Sequence, residues 1–99
     1  MRLTQQQIQL IRDTISSIAG AGVQIRLFGS RLDDNAKGGD IDLLIDFSLP
    51  VERPALMASR LAAKLSRVLQ GRKVDVVLRA PNLQELSIHT QALKESVLL

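Results

Sequence analysis

The segment DIDLLIDF, residues 40–47, alternates polar and apolar side chains with a period of two. That period belongs to a β-strand. In a strand over about 40–47, Ile41, Leu43, Ile45 and Phe47 share one face, which is a core face. Asp40, Asp42, Leu44 and Asp46 share the other. Strands disfavour aspartate, and the Cβ atoms of Asp40 and Asp42 stand only about 6.5 Å apart. A purely structural role for these carboxylates needs a cationic partner for each, and the strand itself contains no Lys or Arg. Whatever fold the chain adopts has to supply that face with something that offsets adjacent negative charges.

The rest of the chain supplies elements of matching size. Thr4 and Gln7 have the spacing of a capping box, Leu3 and Ile8 that of a hydrophobic staple, and Ile8, Ile11, Ile15 and Ile18 recur at helical spacing. Gly20 and Gly22 end this first helix. VQIRLF, residues 23–28, alternates as a strand and stops at Gly29-Ser30. Residues 31–39 are polar, and Gly38-Gly39 permits an unusual backbone there. Pro50 and Pro54 punctuate the exit from the second strand, and Pro54 suits a first helical turn. A second helix over about 54–70 places Met57, Leu61, Leu65 and Val68 on one face, with Gly71 as its stop. KVDVVL, residues 73–78, is the third strand. Asn82 and Glu85 are spaced as another capping box, which would open a third helix with Leu86, Leu93 and Val97 inward. The order is α-β-β-α-β-α. It predicts an α/β (α+β) fold, with residues 1–99 as one domain. The small mixed β-sheet is covered by helices mainly on one face.

Composition narrows the classes. The chain of 99 residues has no cysteine, which removes disulfides and thiolate metal sites and fits a reducing compartment. No apolar run approaches the roughly 18 residues of a membrane span, and the glutamine-rich start MRLTQQQIQLIRD lacks the apolar core of a signal peptide. The reading is a cytoplasmic protein. Net charge is +3, with five Lys/Arg against six Asp/Glu in residues 1–50 and eight against four in residues 51–99. Phe28 and Phe47 are the sole aromatics, so no base-stacking platform exists and nucleic acid is disfavoured as the main ligand. Arg60, Lys64 and Arg67 recur on one side of the second helix. They read either as a solvated flank or as a contact for an acidic partner.

A third aspartate carries the chemistry further. Asp75 lies between Val74 and Val76. If the third strand pairs beside the second, Asp75 shares the face of Asp40 and Asp42. Three carboxylates on neighbouring strands form a hard, all-oxygen site of the kind magnesium uses with phosphate oxygens. Two such ions about 3.5–4 Å apart can clamp the attacking and leaving oxygens of a phosphoryl displacement. Gly29-Ser30 complements this, because glycine lets backbone N–H groups approach a phosphate and Ser30 adds a hydroxyl. Arg31 and Lys37 are candidates for charge neutralisation. The competing reading makes Asp40 and Asp42 strand-edge solubility charges.

Gly29-Ser30, nine residues, Asp40-Ile41-Asp42 and then Asp75 in a later strand together resemble the DNA polymerase β nucleotidyltransferase superfamily. The short length makes the chain similar to its minimal nucleotidyltransferases, the MNT proteins. The resemblance implies a polymerase-β-like core. Gly29, Ser30 and Arg31 would bind nucleotide phosphates, Asp40 and Asp42 would ligate magnesium, and Asp75 would ligate a second ion and help activate the acceptor hydroxyl. It also implies a partner, since MNT proteins commonly pair with HEPN-domain toxins. The expected activity is magnesium-dependent transfer of AMP from ATP to a hydroxyl of that protein, as an antitoxin. Two alternatives stand beside it. One is a binding module that neutralises its partner by contact. The other is a nucleotidyltransferase acting on a small molecule, for which a homo-oligomer would have to complete the acceptor pocket.

Other residues read more plainly. Asp33, Asp34 and Asn35 are turn formers, Asp46 is a solvated strand end, and His89 is a partly exposed helix residue. Val97, Leu98 and Leu99 add an edge strand, meet a partner or complete the core. The residues leave nucleobase preference, acceptor and oligomeric state open.

Overall fold

The alternating segment becomes an interior strand of a four-stranded sheet. The computed structural model describes residues 3–28, 41–94 and 96–99. Its elements are α1 (Gln5–Ala19), β1 (Val23–Phe28), β2 (Ile41–Phe47), α2 (Pro54–Val68), β3 (Val74–Arg79), α3 (Ser87–Lys94) and β4 (Val97–Leu98). The strands lie in the order β3-β2-β1-β4. β1 runs antiparallel to β2 and to β4, and β3 runs parallel to β2. The parallel pair needs a crossover, which α2 provides. Among the described residues no helix is long and apolar enough to cross a membrane.

The core follows the two periodicities of the sequence. Ile41, Leu43 and Ile45 are fully buried and join Ile11 and Ile15 of α1 and Leu61 and Leu65 of α2 in one cluster. Each such side chain contributes about 1.5–3 kcal/mol by leaving water. Leu44 points to the opposite face, where it meets Phe28 and Ala92, with Val77 and Leu93 packed alongside. The main core is therefore on the α1/α2 face, and α3 covers part of the other.

Helix ends behave largely as their residues dictate. The Gln7 N–H donates to Thr4 Oγ1 at 3.0 Å and the Thr4 N–H to Gln7 Oε1 at 2.9 Å, which is a complete capping box. Gly20 ends α1 at φ +88°, and Gly71 follows α2 at φ +84° with its N–H bonded to Ser66 O at 2.8 Å. Those angles are strained for any residue with a Cβ.

The third helix departs from the sequence-based expectation. Asn82 and Glu85 do not cap it. Asn82 Oδ1 accepts from the Val51 N–H at 2.9 Å and Asn82 Nδ2 donates to Val51 O at 2.7 Å, tying this turn to the exit from β2. Glu85 turns instead to Arg79. α3 starts only at Ser87, and Leu86 is 52% exposed rather than inward. His89, expected to be partly exposed, is buried. Its Nδ1 accepts from the Leu86 N–H at 2.8 Å, so its Nε2 carries the proton and donates to Leu78 O at 2.8 Å. Ile41 N–H donates to Lys73 O, so odd-numbered β3 residues face β2 and even-numbered ones face the open edge. The imidazole thus occupies one acceptor of an edge strand.

At the far edge, Val97 pairs with Leu27 and Leu98 with Arg26. The Leu99 N–H donates to Ile25 O at 2.8 Å, and Leu99 packs against the main core. The apolar tail is an edge strand, with Val97 and Leu98 half exposed.

His89→Ala removes one bond from each of two backbone groups and leaves a cavity between α3 and β3. It should cost about 2 kcal/mol or more, read as a lower urea midpoint at unchanged slope.

Candidate active site

Parallel register decides which aspartates meet. Asp42 of β2 is the Cα partner of Asp75 of β3. Adjacent strands lie about 4.8 Å apart, and residues in register project to the same face. That face is opposite the main core, beyond the edge of the Phe28–Leu44–Ala92 cluster. Asp42 is half-buried and Asp75 exposed. Phe28, the last residue of β1, sits opposite Asp42 on its other side, so the chain leaves β1 toward Gly29 at this same end of the sheet.

The sequence reading of a third-strand aspartate beside the second strand therefore holds for Asp42 and Asp75. Asp40, Gly29, Ser30, Arg31 and Lys37 lie outside the described residues, as do Asp33, Asp34 and Asn35. Among the described residues no group of three or more His, Cys, Asp or Glu could hold a metal ion. The described part of the donor set is two carboxylates. Its chemistry fits a hard divalent cation: all-oxygen donors, two negative charges, and an exposed member that leaves room for water or phosphate oxygens.

The same strand pair resolves its third carboxylate differently. Asp46 is the Cα partner of Arg79, and Arg79 Nη1 reaches Asp46 Oδ2 at 3.0 Å. Arg79 Nε also reaches Glu85 Oε1 at 2.9 Å. The Glu85 hydrogen bond first, and then Asp46, hold the Arg79 guanidinium above its ordinary pKa. Asp46, read as a solvated strand end, is in fact an ion-pair partner with a quarter or less of its side chain exposed. The cation comes from the neighbouring strand, which sequence alone did not pair with it.

Arg26 is a residue the sequence reading passed over. It lies opposite Leu44 on the α3 face of the sheet. Its Nη1 reaches Ser96 Oγ at 3.4 Å, and its Nε is buried with no hydrogen-bond partner. An arginine inside VQIRLF, on the face away from the main core, was the available signal.

A nucleotidyltransferase-domain model matches residues 8–99, almost the whole chain. The chain belongs to the nucleotidyltransferase-domain family. Solved structures agree on the fold of this nucleotidyltransferase domain. A chain of a toxin–antitoxin complex with AMP-PNP is 23% identical, with a TM-score of 0.65, and the match covers 97% of this chain and 72% of that one. A chain of the MntA–HpeT toxin–antitoxin, in a form with two Asp-to-Glu substitutions, is 17% identical at a TM-score of 0.68, again over 97% and 72%. A complex of the tri-AMPylated Shewanella oneidensis HEPN toxin with MNT antitoxin gives 23% identity and a TM-score of 0.58 over 94% and 65%. None of the curated proteins compared with the domain matches it.

Like charges directly opposite one another on neighbouring strands destabilise the sheet. Asp75→Asn should therefore leave the domain folded and raise its stability in EDTA by about 0.5 kcal/mol. Magnesium chloride should raise the wild-type unfolding midpoint more than that of the variant. Urea unfolding with and without magnesium checks both.

Proposed function

We propose that the domain, acting as a single minimal unit over residues 1–99 in the cytoplasm, transfers AMP from ATP to a hydroxyl group of a HEPN-domain partner protein and thereby serves as its antitoxin. The observation that carries the reading is the register pairing of Asp42 with Asp75 in a nucleotidyltransferase domain. A pure contact module has no need of paired carboxylates on a strand face. The similar structures support the choice of substrates. One is a toxin–antitoxin with AMP-PNP, and another holds an AMPylated HEPN toxin with its MNT antitoxin. The substituted aspartates in the MntA–HpeT form stand two positions apart, as Asp40 and Asp42 do.

In this reading Asp40 and Asp42 hold magnesium together with Asp75, and Gly29, Ser30 and Arg31 bind the triphosphate. Bound magnesium would lower the pKa of the acceptor hydroxyl and stabilise charge on pyrophosphate. The acceptor hydroxyl would give up its proton to solvent and its oxygen would bond to the α-phosphorus as the α–β phosphoanhydride bond breaks and pyrophosphate leaves. Asp75, the exposed carboxylate, would help activate the acceptor hydroxyl. Gly29 and Ser30 would bind the phosphates through backbone N–H groups and a hydroxyl.

Incubation with ATP labelled at the α-phosphate, magnesium and the HEPN-domain protein encoded nearest the gene tests the proposal. Label should move to that protein, and Asp42→Asn or Asp75→Asn should lower the rate about 100-fold or more. Ser30→Ala should raise the apparent KM for ATP about three- to tenfold, the size of one lost hydrogen bond. Label on a small molecule instead, or transfer that survives Asp42→Asn, overturns the reading.

A further inference from the structure

The opposite end of β2 is built for a different task. Five residues, about 17 Å of strand, separate Asp42 from Phe47. There Phe47, Val51 and Met57 line a groove of about 420 Å³. Leu49 and Leu56 line the same groove and are 73% and 48% exposed. Single exposed leucines are ordinary, but two around one concavity form an apolar patch that water covers poorly.

Charge around this patch is mostly of one sign. Arg53 and Arg60 line the groove, and Glu52 is the one acid among its described lining residues. From Arg53 to Lys73 the chain has six cations and no Asp or Glu. Arg53, Arg60, Lys64 and Arg67 are all exposed, and among the described residues none of these four takes part in an ion pair. A solvated helix flank ordinarily mixes signs and gains i,i+4 pairs. α2 has no acid with which to form one.

We propose that this groove docks an amphipathic, acidic helix of a partner protein. Its apolar side chains enter beside Leu49 and Leu56, and its Asp and Glu residues meet Arg53 and Arg60. Lys64 and Arg67 extend the contact, since residues 53–67 span about 21 Å of helix, four turns of a partner. The patch selects a protein over a nucleic acid. Phe28 and Phe47 are each only 9% exposed, so no ring is available to stack on a base. A phosphate backbone would neutralise the arginines but leave both leucines in water. An acidic amphipathic helix satisfies both. The groove lies at the other end of the strand from the carboxylates and is independent of them.

The probes are a fluorescent helical peptide with Leu at i, i+3, i+4 and i+7 flanked by Glu, the same peptide with Lys for Glu, and an oligouridine RNA. Fluorescence anisotropy at about 0.1 M salt should show the Leu/Glu peptide binding at least tenfold more tightly than either of the others. Arg53→Glu/Arg60→Glu should weaken it at least tenfold and gain affinity for the Leu/Lys peptide, a reversal that a misfolded variant could not produce. Leu49→Ser/Leu56→Ser should weaken both, whereas Asp42→Asn should leave binding unchanged. No saturable binding of the Leu/Glu peptide overturns the proposal. So does binding that the groove substitutions do not alter, or tighter binding of the RNA.

Discussion

The parallel pairing of β2 with β3 is the constraint from which the rest of the domain follows. It demands a crossover, so α2 must lie across the sheet and bury Leu61 and Leu65 against Ile41, Leu43 and Ile45. It also fixes register, and register fixes chemistry. A slip of one residue would move Asp42 into the core and Leu43 into water. The burial of β2's apolar face is therefore what holds Asp42 opposite Asp75. Stability and site geometry are properties of one strand pair.

That strand pair carries two answers to a carboxylate on a sheet face. At one end Asp46 faces Arg79, which also holds Glu85. At the other end Asp42 has a second carboxylate as its register partner. The two ends share the same strands and the same face, but Asp75 is exposed where Arg79 is half-buried. In the proposed reading a divalent cation bound beside Asp42 and Asp75 would offset the two charges.

Much of this was legible in the chain because alternation and helical spacing are local. Ile41, Leu43, Ile45 and Phe47 could be put on one face, and Thr4 and Gln7 read as a capping box, from neighbouring residues alone. Asp75 could be put beside Asp42 once β3 was set next to β2. The failures share a cause. Asn82 and Glu85 had capping spacing, yet Asn82 found two backbone bonds at Val51, 31 residues away, and a helix cap offers only one. His89 looked like a surface residue of a short helix. Its burial depends on the open edge of β3, which offers Leu78 O to the ring. Asp46 was read as solvated because its cation lies 33 residues on, in β3. Tertiary partners of polar side chains leave no periodic trace.

The two ends of β2 also divide recognition from chemistry. Among the described residues the carboxylate end presents half-buried Asp42 and exposed Asp75, which offer little apolar area with which to hold a protein acceptor. Binding energy for such an acceptor has to come from elsewhere on the surface. The groove beside Phe47 has exposed Leu49 and Leu56 for area and, among the described residues, Arg53 and Arg60 outside any ion pair for selection by charge. In the proposed reading, affinity about 17 Å from the carboxylates would let a partner helix be held through product release without crowding the phosphates. It would also let a partner be retained after its hydroxyl has been consumed, so that modification and contact would act on the same protein in succession.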